Sequence, residues 1–141
     1  MSLVLDSSMS LAWCFEDERT PEALAVRERV VEAGAVVPPL WRYEVANALL
    51  MAQRRSRIDA ERRTGLLRAF GELGVEEDHA TEGDPWGATV RLADLHRLTV
   101  YDAAYLELAQ RRRLPLASLD RALLGAARDA GVNAIAEGTA L

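Results

Sequence analysis

Short apolar runs alternate along this chain with longer stretches in which apolar residues recur every three or four positions. Leu3-Val4-Leu5, Ala35-Val36-Val37, Leu116-Ala117-Ser118 and residues 132–135 read as short buried strands. Residues 75–78 are more polar and read as a strand at a sheet edge. Helical patterns fill the intervals. One is short, at about residues 9–15. One opens at Thr20-Pro21-Glu22, where threonine caps and proline at the first helical position loses no hydrogen bond. Its apolar residues Leu24, Val26, Val30 and Val31 share a broad face, and Gly34 ends it. Another, at about 43–55, carries Val45, Leu49 and Ala52 in register. Asp59 caps the next, anchored by Leu66, Leu67 and Phe70. Asp84-Pro85 opens a helix running toward Leu98, Thr99 starts one that ends at Arg111-Arg112-Arg113, and residues 120–130 form the last.

About five short strands joined by helical crossovers predict an α/β fold with a central, mostly parallel sheet covered on both faces. Ligands of such sheets bind beyond the carboxyl ends of the strands, at the topological switch point. Asp6 follows the first strand; Ser118 and Asp120 follow the fourth. These two strands are expected to flank the switch.

Four acids stand out by context. Asp6 closes the first strand, and Asp120 follows the fourth. Glu44 lies in the first turn of the helix after the second strand, and Asp102 at the start of the Thr99 helix. Asp6 and Asp120 should emerge on one sheet edge, with Glu44 and Asp102 added by helices entered from it. Two carboxylates ~4 Å apart repel by about 4 kcal/mol at an effective dielectric near 20. A cluster of them takes up protons or binds a cation. Oxygen ligands without Cys or His partners suit Mg²⁺ or Mn²⁺, and the chemistry implied is phosphodiester or phosphate-ester hydrolysis. Each acid also has a local explanation. Asp6 and Asp120 can cap helices, Thr99 with Asp102 resembles a capping box, and Glu44 complements a helix macrodipole. On residue type and spacing alone both readings stand.

Composition narrows the classes. The 141 residues, half of them hydrophobic and 28% charged, suit one folded domain spanning 1–141. All 17 basic residues are arginine, against 22 acids, for a formal charge of -5, so the chain as a whole is no non-specific nucleic-acid coat. One cysteine, Cys14, and two distant histidines, His79 and His96, exclude a disulfide framework and a Cys/His metal module. No apolar run reaches bilayer length. The start, Met1-Ser2-Leu3-Val4-Leu5-Asp6, lacks the basic region of a signal peptide. A soluble, cytoplasmic protein with no membrane partner is expected.

The order Leu3-Val4-Leu5-Asp6-Ser7-Ser8, Glu44 followed by Asn47, Tyr101-Asp102-Ala103-Ala104-Tyr105, then Leu114-Pro115-Leu116-Ala117-Ser118-Leu119-Asp120 resembles PIN domains. It is most similar to the small VapC-type toxins of toxin–antitoxin pairs, over nearly the whole chain. The resemblance implies an α/β/α sandwich and a Mg²⁺- or Mn²⁺-dependent endoribonuclease. Asp6, Glu44, Asp102 and Asp120 match the family's metal-ligating acids, and Ser118 a hydroxyl, often threonine, that orders the site. Ser8 and Asn47 match polar positions beside them. It implies attack of water on an RNA phosphodiester, leaving a 5′-phosphate and a 3′-hydroxyl, a VapB-like antitoxin covering the cleft, and a homodimer.

Six arginines between Gln53 and Arg68 against Asp59 and Glu61 make a local +4, and Arg111-Arg112-Arg113 a second cluster. Either can hold RNA phosphates or be a solvated helix face. Trp13, Trp41 and Trp86 read as packing anchors, and Cys14 as a small buried hydrophobe. The histidines carry no assigned role. Alternatives are a metal-dependent DNA nuclease or phosphatase on the same acids, and a non-catalytic domain whose acids bind a basic peptide.

Overall fold

The computed structural model describes residues 2–80 and 84–135. The ends of the expected 1–141 domain, Met1 and 136–141, lie outside them, as does 81–83. In chain order the elements are β1 (Val4–Leu5), α1 (Ser7–Ala12), a 3₁₀ turn (Glu16–Glu18), α2 (Pro21–Ala33), β2 (Ala35–Val37), α3 (Leu40–Arg54) and α4 (Ala60–Glu72). There follow β3 (Val75–Glu77), an irregular turn (Pro85–Thr89), α5 (Val90–His96), α6 (Val100–Arg112), β4 (Leu116–Ala117), α7 (Arg121–Asp129) and β5 (Ala134–Ile135).

The five strands form one all-parallel sheet in the order β3-β2-β1-β4-β5. The chain steps outward from β1 to β2 and β3, then crosses back to β4 and β5. Parallel crossovers are right-handed, so this reversal puts the helices before β3 on one face and those after it on the other. The α/β/α layering expected from the alternation is what forms. The switch point falls between β1 and β4, paired Val4 to Leu116 and Leu5 to Ala117. Beyond it, Asp6 N–H still donates to Ala117 C=O at 3.0 Å, and Ser118 N–H to Ile135 C=O at 3.1 Å.

The strands are short but wholly apolar and buried at the centre, as a sheet covered on both faces requires. Leu3, Val4, Leu5, Leu116 and, from α6, Tyr105 and Leu106 show no exposed surface. Val45, Leu49 and Ala52 of α3 are buried as their spacing predicts, with Leu66, Leu67 and Phe70 of α4 packed on the core. Gly34 ends α2 at φ +80, where a Cβ would lie 2.9 Å from Gly74 O. Glycine alone fits that conformation and that contact.

Several sequence expectations shift. The first helix starts at Ser7, not near Met9, because Asp6 leaves the sheet directly into its first turn. The third starts at Leu40, behind Pro39, so Glu44 stands in its second turn rather than its first, and the macrodipole has less claim on it. The helix expected from Asp84-Pro85 to Leu98 is two pieces. Gly87, at φ -111 and ψ -106, breaks it, and Arg97 closes α5 in a left-handed conformation. Val31 is 64% exposed, because Ala23, Val26 and Val30 alone meet the core. No helix among the described residues is long and apolar enough to cross a membrane.

β3 is the sheet edge its polarity predicts. Ion pairs tie it down: Arg111 Nη2 lies 2.7 Å from Asp78 Oδ2, and its Nε 2.7 Å from Glu107 Oε1. Arg112 bridges Asp78 and Glu76. Two arginines expected as free cations are thus committed to the fold.

Candidate active site

Asp6 is nearly fully buried at the carboxyl end of the central strand. It precedes α1 but makes no side-chain cap, so the capping explanation fails here. Its carboxylate accepts two hydroxyl hydrogen bonds instead, both on Oδ2: Ser8 Oγ at 2.5 Å and Ser118 Oγ at 2.7 Å. Each hydroxyl is oriented in turn by a backbone N–H of the β4–α7 turn. Leu119 N–H donates to Ser8 Oγ at 2.9 Å, and Asp120 N–H to Ser118 Oγ at 2.9 Å. Two parallel relays therefore run from that turn to Asp6, and Oδ1 is the oxygen they leave for a ligand.

Glu44 repeats the pattern from α3. Tyr105 Oη donates to its Oε1 at 2.5 Å and Ser7 Oγ at 3.3 Å, leaving Oε2 outside both bonds. Asp102 sits in the first turn of α6, its N–H capped by Thr99 Oγ1 at 3.1 Å. Asp120 does cap its helix, accepting from Leu123 N–H at 3.0 Å, and the turn it anchors supplies both relays to Asp6. The cap Asp120 makes leaves it at the carboxyl end of β4, beside Asp6.

Asp6, Glu44 and Asp102 are shifted by their neighbours, Asp120 among them. Burial, above all, raises the Asp6 carboxyl above its usual value; its two serine bonds oppose that, and the Asp120 charge adds to it. Burial likewise raises Glu44, opposed by the Tyr105 bond and reinforced by Asp6 and Asp102. Asp102 is raised by burial, then by Asp120 and Asp6. Burial and Glu44 push the Tyr105 phenol far above its ordinary range, which keeps it a donor.

The donor set is all oxygen, from carboxylates and hydroxyls, and its self-repulsion is the kind a hard divalent cation relieves. Among the described residues no three such side chains already stand close enough to hold an ion. An all-oxygen donor set suits a cation that keeps several waters and touches one or two carboxylates directly, as Mg²⁺ does.

Tyr105 and Ser7 are the residues the sequence reading passed over. Tyr105 looks like an apolar core anchor by periodicity, and its ring is fully buried; only the i,i+3 offset from Asp102 hinted that its hydroxyl reaches the pocket. Asn47, expected beside the acids, is exposed one turn beyond Glu44.

The surroundings sort the remaining candidates. About nine residues of α6, some 14 Å, separate Asp102 from Arg111, and Arg111 and Arg112 are ion-paired. Arg57 pairs with Asp17 and Glu18 and lies 4.1 Å over the Phe15 ring. Arg54, Arg55, Arg62 and Arg68 are exposed, with no ion pair among the described residues. Trp13 and Trp41 pack as expected, both against Phe70. Trp86 does not: the irregular turn after Pro85 leaves it 92% exposed. Cys14 is buried, its thiol pushed up to about 11 by burial. A groove of about 710 Å³ lies between α3, α4 and β3, lined by Trp41, Leu67 and Phe70 among others. It holds none of the four acids, but Tyr43, the neighbour of Glu44, lines it.

Known proteins share this architecture. The PIN domain model matches residues 3–129. Ribonuclease VapC3 of Pyrobaculum aerophilum is 31% identical over 123 residues, 87% of this chain and 92% of that one. The crystal structure of PAE2754 from Pyrobaculum aerophilum superposes with a TM-score of 0.69 at 24% identity, covering 96% of this chain and 84% of the other. That of FitAcB from Neisseria gonorrhoeae gives 0.67 at 12%, covering 96% of each. At such identities the two structures speak to fold alone. The match over residues 3–129, with a relative 31% identical across most of both chains, makes this chain a member of the PIN domain family.

Proposed function

We propose that this chain is a Mg²⁺- or Mn²⁺-dependent endoribonuclease of the VapC type, the toxin of a toxin–antitoxin pair. The observation that carries the reading is the pair of carboxylates held at the switch point of a PIN fold, Asp6 by Ser8 and Ser118 and Glu44 by Tyr105 and Ser7. The ribonuclease name of a relative matching 87% of this chain supports RNA as the substrate. Asp6, Glu44, Asp102 and Asp120 would hold the cation, one or two of them directly and the others through its waters. Bound there, it supplies charge neutralisation at a phosphoryl oxygen and acidifies water.

The chain's own residues do the rest. Ser8 and Ser118 hold Asp6 to one orientation, and Tyr105 and Ser7 do the same for Glu44, so two carboxylates are fixed before substrate arrives. Hydrolysis adds water across the P–O3′ bond and leaves a 5′-phosphate and a 3′-hydroxyl. Arg54, Arg55, Arg62 and Arg68 are free to take phosphates away from the acids. The same negative pocket suits a basic side chain of a VapB-like antitoxin, and a homodimer completes the reading.

The test is RNA cleavage by the purified chain with Mg²⁺ or Mn²⁺, with excess EDTA, and by the Asp6→Asn variant. Cleavage that needs the cation and is lost in the variant is expected. Cleavage unchanged in EDTA overturns the metal site, and DNA cut in preference to RNA overturns the substrate.

A further inference from the structure

The chain has eight aromatic residues, three Trp, three Tyr and two Phe. Trp13, Phe15, Trp41 and Tyr105 are buried, and Phe70 packs on the core. Three rings face solvent: Tyr43 at 80%, Tyr101 at 67% and Trp86. Two of these three immediately precede a pocket acid, Tyr43 before Glu44 and Tyr101 before Asp102. Each lies in the first turn of its helix, α3 or α6. Tyr101 is also four residues before Tyr105, on the same stripe of α6. Tyr105 reaches across to Glu44, so that stripe faces α3. Tyr43, next to Glu44 in sequence, also lines the groove between α3, α4 and β3.

We propose that Tyr43 and Tyr101 are base-stacking residues that seat unpaired nucleobases beside the scissile phosphate. This rests on the ribonuclease reading. The argument is electrostatic as well as steric. A phosphodiester must approach four acids that repel it, and Arg111 and Arg112 are spent on Glu76, Asp78 and Glu107. Stacking on a phenol ring adds an attraction that is uncharged and indifferent to base identity, beside whatever phosphate contacts exposed arginines such as Arg121 make. Bases paired in a duplex hide their faces, so only unpaired nucleotides can use the two rings. A protein partner seated on the tyrosines is the competing occupant, and the test separates it.

Affinity is measured for a short fluorescein-labelled single-stranded RNA of mixed sequence, and for the same ribose-phosphate backbone without bases. The protein is the Asp102→Asn chain with Mg²⁺ present, unaltered, then with Tyr43→Ala, Tyr101→Ala or both, and with the Phe counterparts. Each Ala change should weaken binding to the base-bearing RNA about tenfold. Each Phe change should restore it, and the double Ala variant should bind both RNAs alike. Thermal midpoints and the Phe variants exclude misfolding as the cause. Cleavage by the parent chain and its Tyr→Ala variants is followed in parallel, where KM should rise more than kcat falls. Ala variants that keep their affinity and their preference for bases overturn the proposal even if RNA is cut, and leave the rim to a protein partner. Tyrosine-dependent binding without cleavage by the parent chain sinks the nuclease reading and upholds the stacking rim. No binding to either RNA sinks both.

Discussion

The Tyr105 hydroxyl donates to Glu44 Oε1 at 2.5 Å and so ties α6 to α3 beside the end of the central strand. The bond joins residues 61 positions apart from the two layers of helices. Among the described residues only Ser7 also bonds that oxygen, at 3.3 Å. Tyr105→Phe keeps the buried ring and removes the donor. A lost hydrogen bond to a charged acceptor costs about 2 kcal/mol. The variant should therefore unfold at a lower temperature and lose about tenfold in kcat as Glu44 gains freedom. Unchanged RNA cleavage would show that Glu44 needs no such tether.

Asp102 carries a carboxyl raised by burial and by its neighbours Asp120 and Asp6. The charged form is therefore disfavoured in the folded state. Its stability is fully present below the unfolded value of 3.8 and is lost as pH rises through the raised folded one. At neutral pH the ionised side chain opposes folding. Asp102→Asn should raise the thermal midpoint by a few degrees, the displacement that about 1 kcal/mol produces in a domain of this size. The same variant should lose cleavage by at least about a hundredfold. Below pH 3.8 the gain in midpoint should vanish. A midpoint lowered at pH 7 would mean the acid is structural.

The pattern of apolar runs gave away the sheet, the switch point and the two strands beside it, because strands buried on both faces must be continuously apolar. Asp6 and Ser118 were legible for the same reason: each is the first polar residue after such a run. Tyr105 was not, since a buried phenol and a buried core ring share one periodicity until the hydroxyl's partner, far off in sequence, is known. The break at Gly87 was hidden as well. Asp84-Pro85 is a good helix start, and nothing local announces that the chain must turn again to bring Thr99 to the edge of the sheet. Arg111-Arg112-Arg113 looked like a free cationic run because the partners of Arg111 and Arg112 on and just after β3 lie more than thirty residues upstream.

Arg111 links Asp78 to Glu107 with most of its guanidinium buried. It holds the Asp78 carboxyl below the usual 3.8. The sign is therefore the opposite of that at Asp102. The stabilisation is present above 3.8 and is lost as pH falls through the lowered folded value. Arg111→Met keeps the length of the side chain, leaves the buried Glu107 carboxylate unpaired and leaves Asp78 to Arg112 alone. It should cost about 3 kcal/mol at neutral pH. Its midpoint should fall less steeply than that of the parent chain below pH 3.8. A variant as stable as the parent at pH 7 would make the pair dispensable.

Ser118 has no exposed surface and serves both neighbours, donating to Asp6 Oδ2 and accepting from Asp120 N–H. Ser8 makes the parallel relay from Leu119 N–H. Their hydroxyls lie 3.3 Å apart, so one deletion is partly covered by the other. Either single change to Ala should cost about 1 kcal/mol. The Ser8→Ala/Ser118→Ala pair leaves the Asp6 carboxylate only the Ser7 backbone N–H and should cost more than the sum, since a buried carboxylate would then have no hydroxyl donor. Loss of such orienting bonds weakens a metal site by about 10–100-fold. The Mg²⁺ concentration that half-saturates cleavage should accordingly rise about tenfold for each single variant and further for the pair. Strictly additive stability losses in urea titrations, with unchanged Mg²⁺ dependence, would show that Asp6 is oriented by the backbone of α1 rather than by the two serines.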